Sequence, residues 1–346
     1  MVNPSRFINA CFHRNTGRPP IWLMRQSGRY LPEYRELRQN NTKNFIEFCK
    51  VPELSFKATM IPLKHYALDA SIVFSDILVV VDALGLNIQW QPAPHLENPI
   101  NCHRTIQSLD ADKAAQKLHY VSDAIKMIKQ HGPSIPCIGF SGSPWTIACY
   151  MLDKTPTNRA AERFLSTRSF VYDQPAACQH LLQKLTDIII EYCCQQIQAG
   201  ADSICLFDSW GHILSHDNYE LFSHQYIAQI CQHLNQRYPH IPLILFGRHL
   251  STQLDTIRHL PIQVLGLDWT TNLNHAREKL GDKIAIQGNL DNAILMCSDR
   301  VIIEKTTALI NEQHNNPGFI LNLGHGILPK TPPNSVRLLI DTVTNF

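Results

Sequence analysis

Eight short runs of apolar residues recur along the chain, each ending in polar or glycine residues and most followed by a stretch with helical spacing. They cover residues 21–24, 71–76, 136–142, 203–209, 242–247, 264–269, 283–288 and 319–326. Uninterrupted apolar runs of this length suit strands buried on both faces of a parallel sheet. Between them, residues 111–130, 176–199, 218–237 and 299–312 place apolar positions at helical intervals. Asp110 or Asp112 stands near the start of the first, and Gly200 can cap the end of the second. Eight strand signals alternating with helices, with no low-complexity linker, predict one α/β domain. We expect a single (β/α)8 TIM barrel over residues 1–346, with residues 1–19 as an N-terminal arm, in preference to two Rossmann domains.

That architecture gathers functional groups where strands end. The residues following the eight runs are Arg25 and Arg29, Asp76, Ser141 to Trp145, Asp208 and Ser209, Arg248, Asp268 and Trp269, Gln287 and Asn289, and His325. The first run, ending in Arg25-Gln-Ser-Gly-Arg29, sets two guanidinium groups about a Ser-Gly turn. Guanidinium is planar, permanently charged and shaped to hold carboxylate or phosphate with two hydrogen bonds. The plain alternative is that these arginines pair with Glu33 and Glu36.

Composition narrows the partners. With 31 Lys and Arg against 29 Asp and Glu, the formal charge is +2. Neither nucleic acid nor an anionic membrane surface is expected to bind so balanced a chain. No window approaches a membrane span, and no signal-peptide pattern is visible at the N-terminus. The 11 cysteines include no Cys-x-x-Cys pair and several sit in apolar runs, as Cys137, Cys149 and Cys205 do. That usage fits small hydrophobes in a reducing cytoplasm. Cys193 and Cys194 read as helix packing. His212 and His216 have the spacing of a metal pair, but no Glu completes the usual zinc motif, so no metal site is expected.

Seven motifs, in order, carry a resemblance. They are Arg25-Gln-Ser-Gly-Arg-Tyr-Leu-Pro-Glu-Tyr34, Phe74-Ser-Asp-Ile-Leu78, Gly142-Ser-Pro-Trp-Thr146, Phe207-Asp-Ser-Trp210, Gly266-Leu-Asp-Trp-Thr-Thr271, Gln287-Gly-Asn-Leu-Asp291 and Asn322-Leu-Gly-His-Gly326. From about residue 20 onward the chain resembles the uroporphyrinogen decarboxylase family. The resemblance implies a cytoplasmic homodimer of haem and tetrapyrrole biosynthesis. It also implies a barrel that uses no cofactor and converts the four acetate groups of uroporphyrinogen III to methyls, giving coproporphyrinogen III and CO2. Arg25, Arg29 and His325 match family positions facing substrate carboxylates, with Tyr150 and Ser209 supplying hydroxyls. Asp76 matches the carboxylate beneath the ring centre, which stabilises the cation formed when a pyrrole is protonated. The resemblance thus makes Asp76, Arg25 and Tyr150 the catalytic candidates, while the proton donor stays open between Arg25, a histidine, a substrate carboxyl and water.

The chain departs from the family pattern in three loops. Asp153-Lys-Thr-Pro-Thr-Asn158 replaces a glycine-rich stretch, Phe246-Gly-Arg-His-Leu250 replaces a glycine-rich turn, and Val80-Val-Asp-Ala83 replaces Ile-Pro-Asp-Ala. Two rival functions stand beside the decarboxylase. One is a zinc-dependent corrinoid or thiol methyltransferase of the same superfamily, whose His-x-Cys signature is missing here. The other is a non-catalytic barrel that binds tetrapyrroles, for which the central carboxylate Asp76 would have no use.

Overall fold

The computed structural model describes residues 5–41, 44–90, 94–100, 102–111, 113–154 and 163–346. Among these residues seven parallel strands form one sheet in the order β1 (Ser71–Ile72), β4 (Cys137–Gly142), β5 (Ser203–Asp208), β6 (Leu243–Gly247), β7 (Val264–Gly266), β8 (Ala285–Leu290) and β9 (Phe319–Leu323). A separate antiparallel pair, β2 (Ile88–Gln89) and β3 (His95–Leu96), lies outside it. Helices follow the strands and cover the sheet, so residues such as Ile138, Ile204, Ile244, Val264 and Ile320 are fully buried. This explains the unbroken apolar runs: a strand covered on both faces has no polar side to show.

The strand expected at residues 21–24 is reduced to one parallel bridge, Ile21 to Leu321 of β9. Leu321 N–H donates to the Pro20 carbonyl at 2.9 Å, and Asp69 N–H, just before β1, donates to the Ile21 carbonyl at 2.8 Å. Beyond that point side chains replace the ladder. Leu23 N–H donates to Gln26 Oε1 at 3.1 Å and Met24 N–H to Asn322 Oδ1 at 3.1 Å. The segment therefore lies between the two outer strands, tied to both, but turns off the sheet too early to be a strand.

β1 is also shorter than its apolar run, which leaves the edge of β4 open beyond Ile138. A glutamine fills the gap: Gln196 accepts from Phe140 N–H at 2.8 Å and donates to the Phe140 carbonyl at 3.0 Å. Gly139 makes room for it, since a Cβ there would stand 2.5 Å from Gln196 Oε1. The helix that carries Gln196, Pro175–Gln198, starts with proline in its first turn, where the missing N–H costs no bond. Gly200, at φ +110°, ends it as expected.

Two predicted helices differ. Residues 111–130 resolve into a tight 3₁₀ turn, Ala115–Leu118, followed by the α-helix His119–His131. Ala115 and Leu118 both face the core, a spacing the three-residue turn satisfies. Asp112 lies outside the described residues. The 218–237 helix contains a π turn, Glu220–His224, before continuing as Gln225–Arg237. The wider turn carries the buried Ser223 to Asp208 at 2.9 Å.

Candidate active site

At the C-terminal ends of the strands the predicted groups come together. Arg25 stands in the left-handed region at φ 61°, a conformation unusual for a side chain larger than glycine. Its aliphatic stem packs on Gly326: a Cβ there would lie 2.3 Å from Cδ and 2.6 Å from Cγ of Arg25. The guanidinium remains open to solvent, yet enough protein surrounds it to lower its pKa, an effect opposed by nearby Asp76 and Tyr150. Arg29 is exposed beside it. Neither arginine takes the glutamate partner considered above: Glu33 pairs with His65 at 2.9 Å. Among the described residues no carboxylate lies within 4.0 Å of Arg25 or Arg29.

Asp76 is held by a different device. The segment after β1 is anchored where Phe74 packs against Tyr34 (5.4 Å), Phe48 (5.6 Å) and Phe45 (6.0 Å), and where Phe74 N–H donates to Thr59 Oγ1 at 2.9 Å. Asp76 Oδ1 then accepts from Leu78 N–H at 2.8 Å, an Asx turn that leads into the helix Val79–Ala83. Among the described residues Oδ2 accepts no bond. Burial raises the Asp76 pKa, while the Leu78 N–H and Arg25 hold it down. One oxygen thus fixes the backbone, and the other is unbonded among the described residues.

Tyr150 lies on the helix Pro144–Leu152, whose N-terminus is capped by Ser143 accepting from Thr146 N–H at 3.1 Å. Its hydroxyl accepts from Trp210 Nε1 at 3.0 Å, and burial raises its pKa. Ser209 is half-buried immediately after β5. His325 follows β9 and accepts from Gly326 N–H through Nδ1 at 2.6 Å, which leaves Nε2 as the protonated, donating nitrogen. Its pKa is lowered to about 4, first by burial and then by the cations Arg25 and Arg248, with Asp268 opposing.

Sequence reasoning passed over three supports. Asp208, fully buried, receives hydroxyls from Ser143 (2.6 Å), Ser223 (2.9 Å) and Thr146 (3.3 Å). Thr146 Oγ1 also accepts from Trp210 N–H at 3.2 Å, so Asp208 ties Tyr150's helix to the loop bearing Ser209 and Trp210. Trp210 itself lies 5.9 Å from the Arg248 guanidinium carbon. The Phe207-Asp-Ser-Trp motif was the available signal for both. Third, the turn after β6, where glycines were missing, does need a left-handed residue: His249 takes φ 50°. Asp268 holds it there through His249 N–H at 2.8 Å, and so shapes the rim.

His212 and His216 do not form a helical pair. His212 belongs to the 3₁₀ turn Gly211–Ile213, and His216 begins the separate helix His216–Tyr219. Among the described residues no three or more His, Cys, Asp or Glu side chains cluster as metal ligands. No helix there is long and apolar enough to cross a membrane. Of the Asp153–Asn158 departure, residues 155–158 lie outside the described residues.

This geometry can be set against known proteins. The model of the uroporphyrinogen decarboxylase (URO-D) family matches residues 3–346. The chain belongs to the uroporphyrinogen decarboxylase family. Curated relatives of that name agree: one from Coxiella burnetii is 41% identical over 346 residues, covering 99% of this chain and 94% of the relative. Another, from Legionella pneumophila, is 41% identical over 345 residues, covering 99% and 97%. A solved methyltransferase from Methanosarcina mazei superposes with TM-score 0.77 over 99% of this chain and 98% of its own. At 18% identity that likeness concerns the fold alone.

Proposed function

We propose that the chain decarboxylates the acetate side chains of uroporphyrinogen in tetrapyrrole biosynthesis, without a cofactor. The observation that carries this is Asp76, a half-buried carboxylate with one unbonded oxygen, in the company of Arg25, Tyr150 and His325. A cationic rim alone would suit many anions. A carboxylate beside those cations suits a substrate whose rim is anionic and whose reacting ring becomes cationic.

Arg25 and Arg29 hold acetate carboxylates through paired N–H donors. Tyr150 and Ser209 add hydroxyl contacts. His325, neutral at pH 7, contributes one Nε2–H donor and no proton store. Protonation of a pyrrole α-carbon makes an iminium-like cation, which Asp76 stabilises as a preorganised charge. The C–C bond to the carboxylate then breaks, CO2 leaves, and its electron pair flows into the ring. A proton taken up at the former methylene makes the methyl group, and loss of the α-proton restores the pyrrole. Arg25 is a poor acid for the first step because guanidinium holds its proton to a pH above about 12.

The coarser features extend the same reading. Residues 21–24 act as the eighth stave of a closed barrel, a view supported by Ile21's ties to β9 and to Asp69. The chain works as one domain with residues 1–19 as an arm, of which residues 1–4 lie outside the described residues. Its family suggests a cytoplasmic homodimer, which sedimentation would test. The deciding experiment is incubation with uroporphyrinogen III under reducing, dark conditions. Coproporphyrinogen III is expected, and binding without CO2 release would favour the carrier alternative.

A further inference from the structure

Arg248 has no task in that scheme, yet its placement is specific. It follows β6, the middle strand of the seven, as far in sheet order from the segment carrying Arg25 as a strand can be. Even so, Arg248 and Arg25 are both near enough to His325 to lower its pKa. The guanidinium carbon of Arg248 lies 5.9 Å from the Trp210 ring, and Trp210 in turn donates to Tyr150. Arg163 packs on the same indole at 4.6 Å.

What marks Arg248 is the lack of a partner. Its Nε is buried with no hydrogen bond, and among the described residues no carboxylate lies within 4.0 Å. The nearby Asp268 is already occupied by His249 N–H, Thr270 N–H and Thr270 Oγ1. The bare Nε marks a guanidinium that no described protein group neutralises, and its terminal nitrogens, which also take no described hydrogen bond and are not among the buried atoms, are the ones a ligand's carboxylate can meet.

We propose that Arg248, steadied by Trp210, is a substrate-positioning residue that binds a carboxylate on a pyrrole other than the one losing CO2. The inference rests on the substrate being a macrocycle with carboxylates around its whole rim. Two separated cationic anchors fix how such a ring is turned. They would also weaken the hold on a product that has lost carboxylates.

The test pairs Arg248→Met with Arg248→Lys in the full-length protein. With uroporphyrinogen, Arg248→Met should raise KM about ten- to a hundredfold and change kcat by only a few-fold, the mark of lost ground-state binding. Arg248→Lys keeps the charge without the planar fork and should recover part of that loss. Binding of uroporphyrin, the oxidised octacarboxylate that cannot react, read from quenching of tryptophan fluorescence, should weaken in parallel. Unchanged KM in Arg248→Met would overturn the proposal, as would a lysine variant no better than the methionine one, since packing on Trp210 would then explain both. If wild-type protein binds uroporphyrin but leaves uroporphyrinogen intact, the decarboxylase reading falls. The porphyrin-binding comparison would still decide the role of Arg248.

Discussion

Replacing Gly326 with alanine adds one carbon at the point where the Arg25 stem crosses the chain. The new Cβ would stand 2.3 Å from Arg25 Cδ, 2.6 Å from Cγ and 2.9 Å from Nε, where real contacts essentially never fall below 3.0 Å. Cδ must therefore retreat by at least about 0.7 Å, the difference between 3.0 and 2.3 Å. Because the crowded atoms are mid-chain, the guanidinium swings with them. A misplacement on the order of 1 Å in a positioned group costs about a hundredfold in rate. We expect kcat/KM for uroporphyrinogen to fall about thirty- to a hundredfold. Stability should change by about 1 kcal/mol or less, since Gly326 has no positive φ to strain and the Arg25 guanidinium is open to solvent. The assay is steady-state coproporphyrinogen formation beside a thermal melt, repeated with Arg25→Ala alone and combined. In the combined variant the added alanine should cost almost nothing further. Full activity in Gly326→Ala, or an equal loss on top of Arg25→Ala, would refute the reasoning.

Asp76→Asn keeps an acceptor for Leu78 N–H but removes the charge, so turnover should fall about 10²- to 10³-fold with melting little changed; near-normal turnover would remove Asp76 from the mechanism. His325 titrates near about 4 in the fold and near about 6.5 when unfolded, so between those values the unfolded state binds the extra proton. Its share of the stability at neutral pH is therefore lost as pH falls from 6.5 to 4, and His325→Gln should gain on wild type in melts at pH 4.5 relative to pH 7.5. A gap that does not vary with pH would contradict the assignment. Asp208→Ala orphans the hydroxyls of Ser143, Thr146 and Ser223 and should destabilise the protein by about 3 kcal/mol or more in urea titrations.

Periodicity served well where one element decides its own environment. The residues of β5 and β6 are buried almost without exception, whichever face they point to, so hydrophobic runs marked these strands to within a residue or two. It served poorly where distant residues decide. Residues 21–24 look like a strand, but Met24 N–H meets the side chain of Asn322, 298 positions away, in place of a ladder. The 218–237 helix is regular by pattern; its π turn answers to Asp208, a buried carboxylate elsewhere in the chain. The candidate site divides the same way. Arg25, Asp76 and His325 stand in motifs that end strands, whereas Tyr150, on a helix, was named through the family resemblance alone. Motifs flagged Gly326 and Trp210 too, but not their tasks, because Gly326 under Arg25 and Trp210 against Tyr150 are contacts between elements, which no local spacing encodes.

The tie between Met24 N–H and Asn322 spans 298 positions of sequence, and that between Trp22 Nε1 and Gln287 spans 265. Arg25 immediately follows the first of these knots, and His325 lies three residues past its far end. Closing so long a loop is slow and comes late, after local helices and neighbouring strands have formed. A ribosome that has made three hundred residues has therefore produced most of a sheet and no site at all. Enzymatic competence is acquired with the last strand, so activity in a translation reaction should lag behind compactness and report that the chain has been sewn shut.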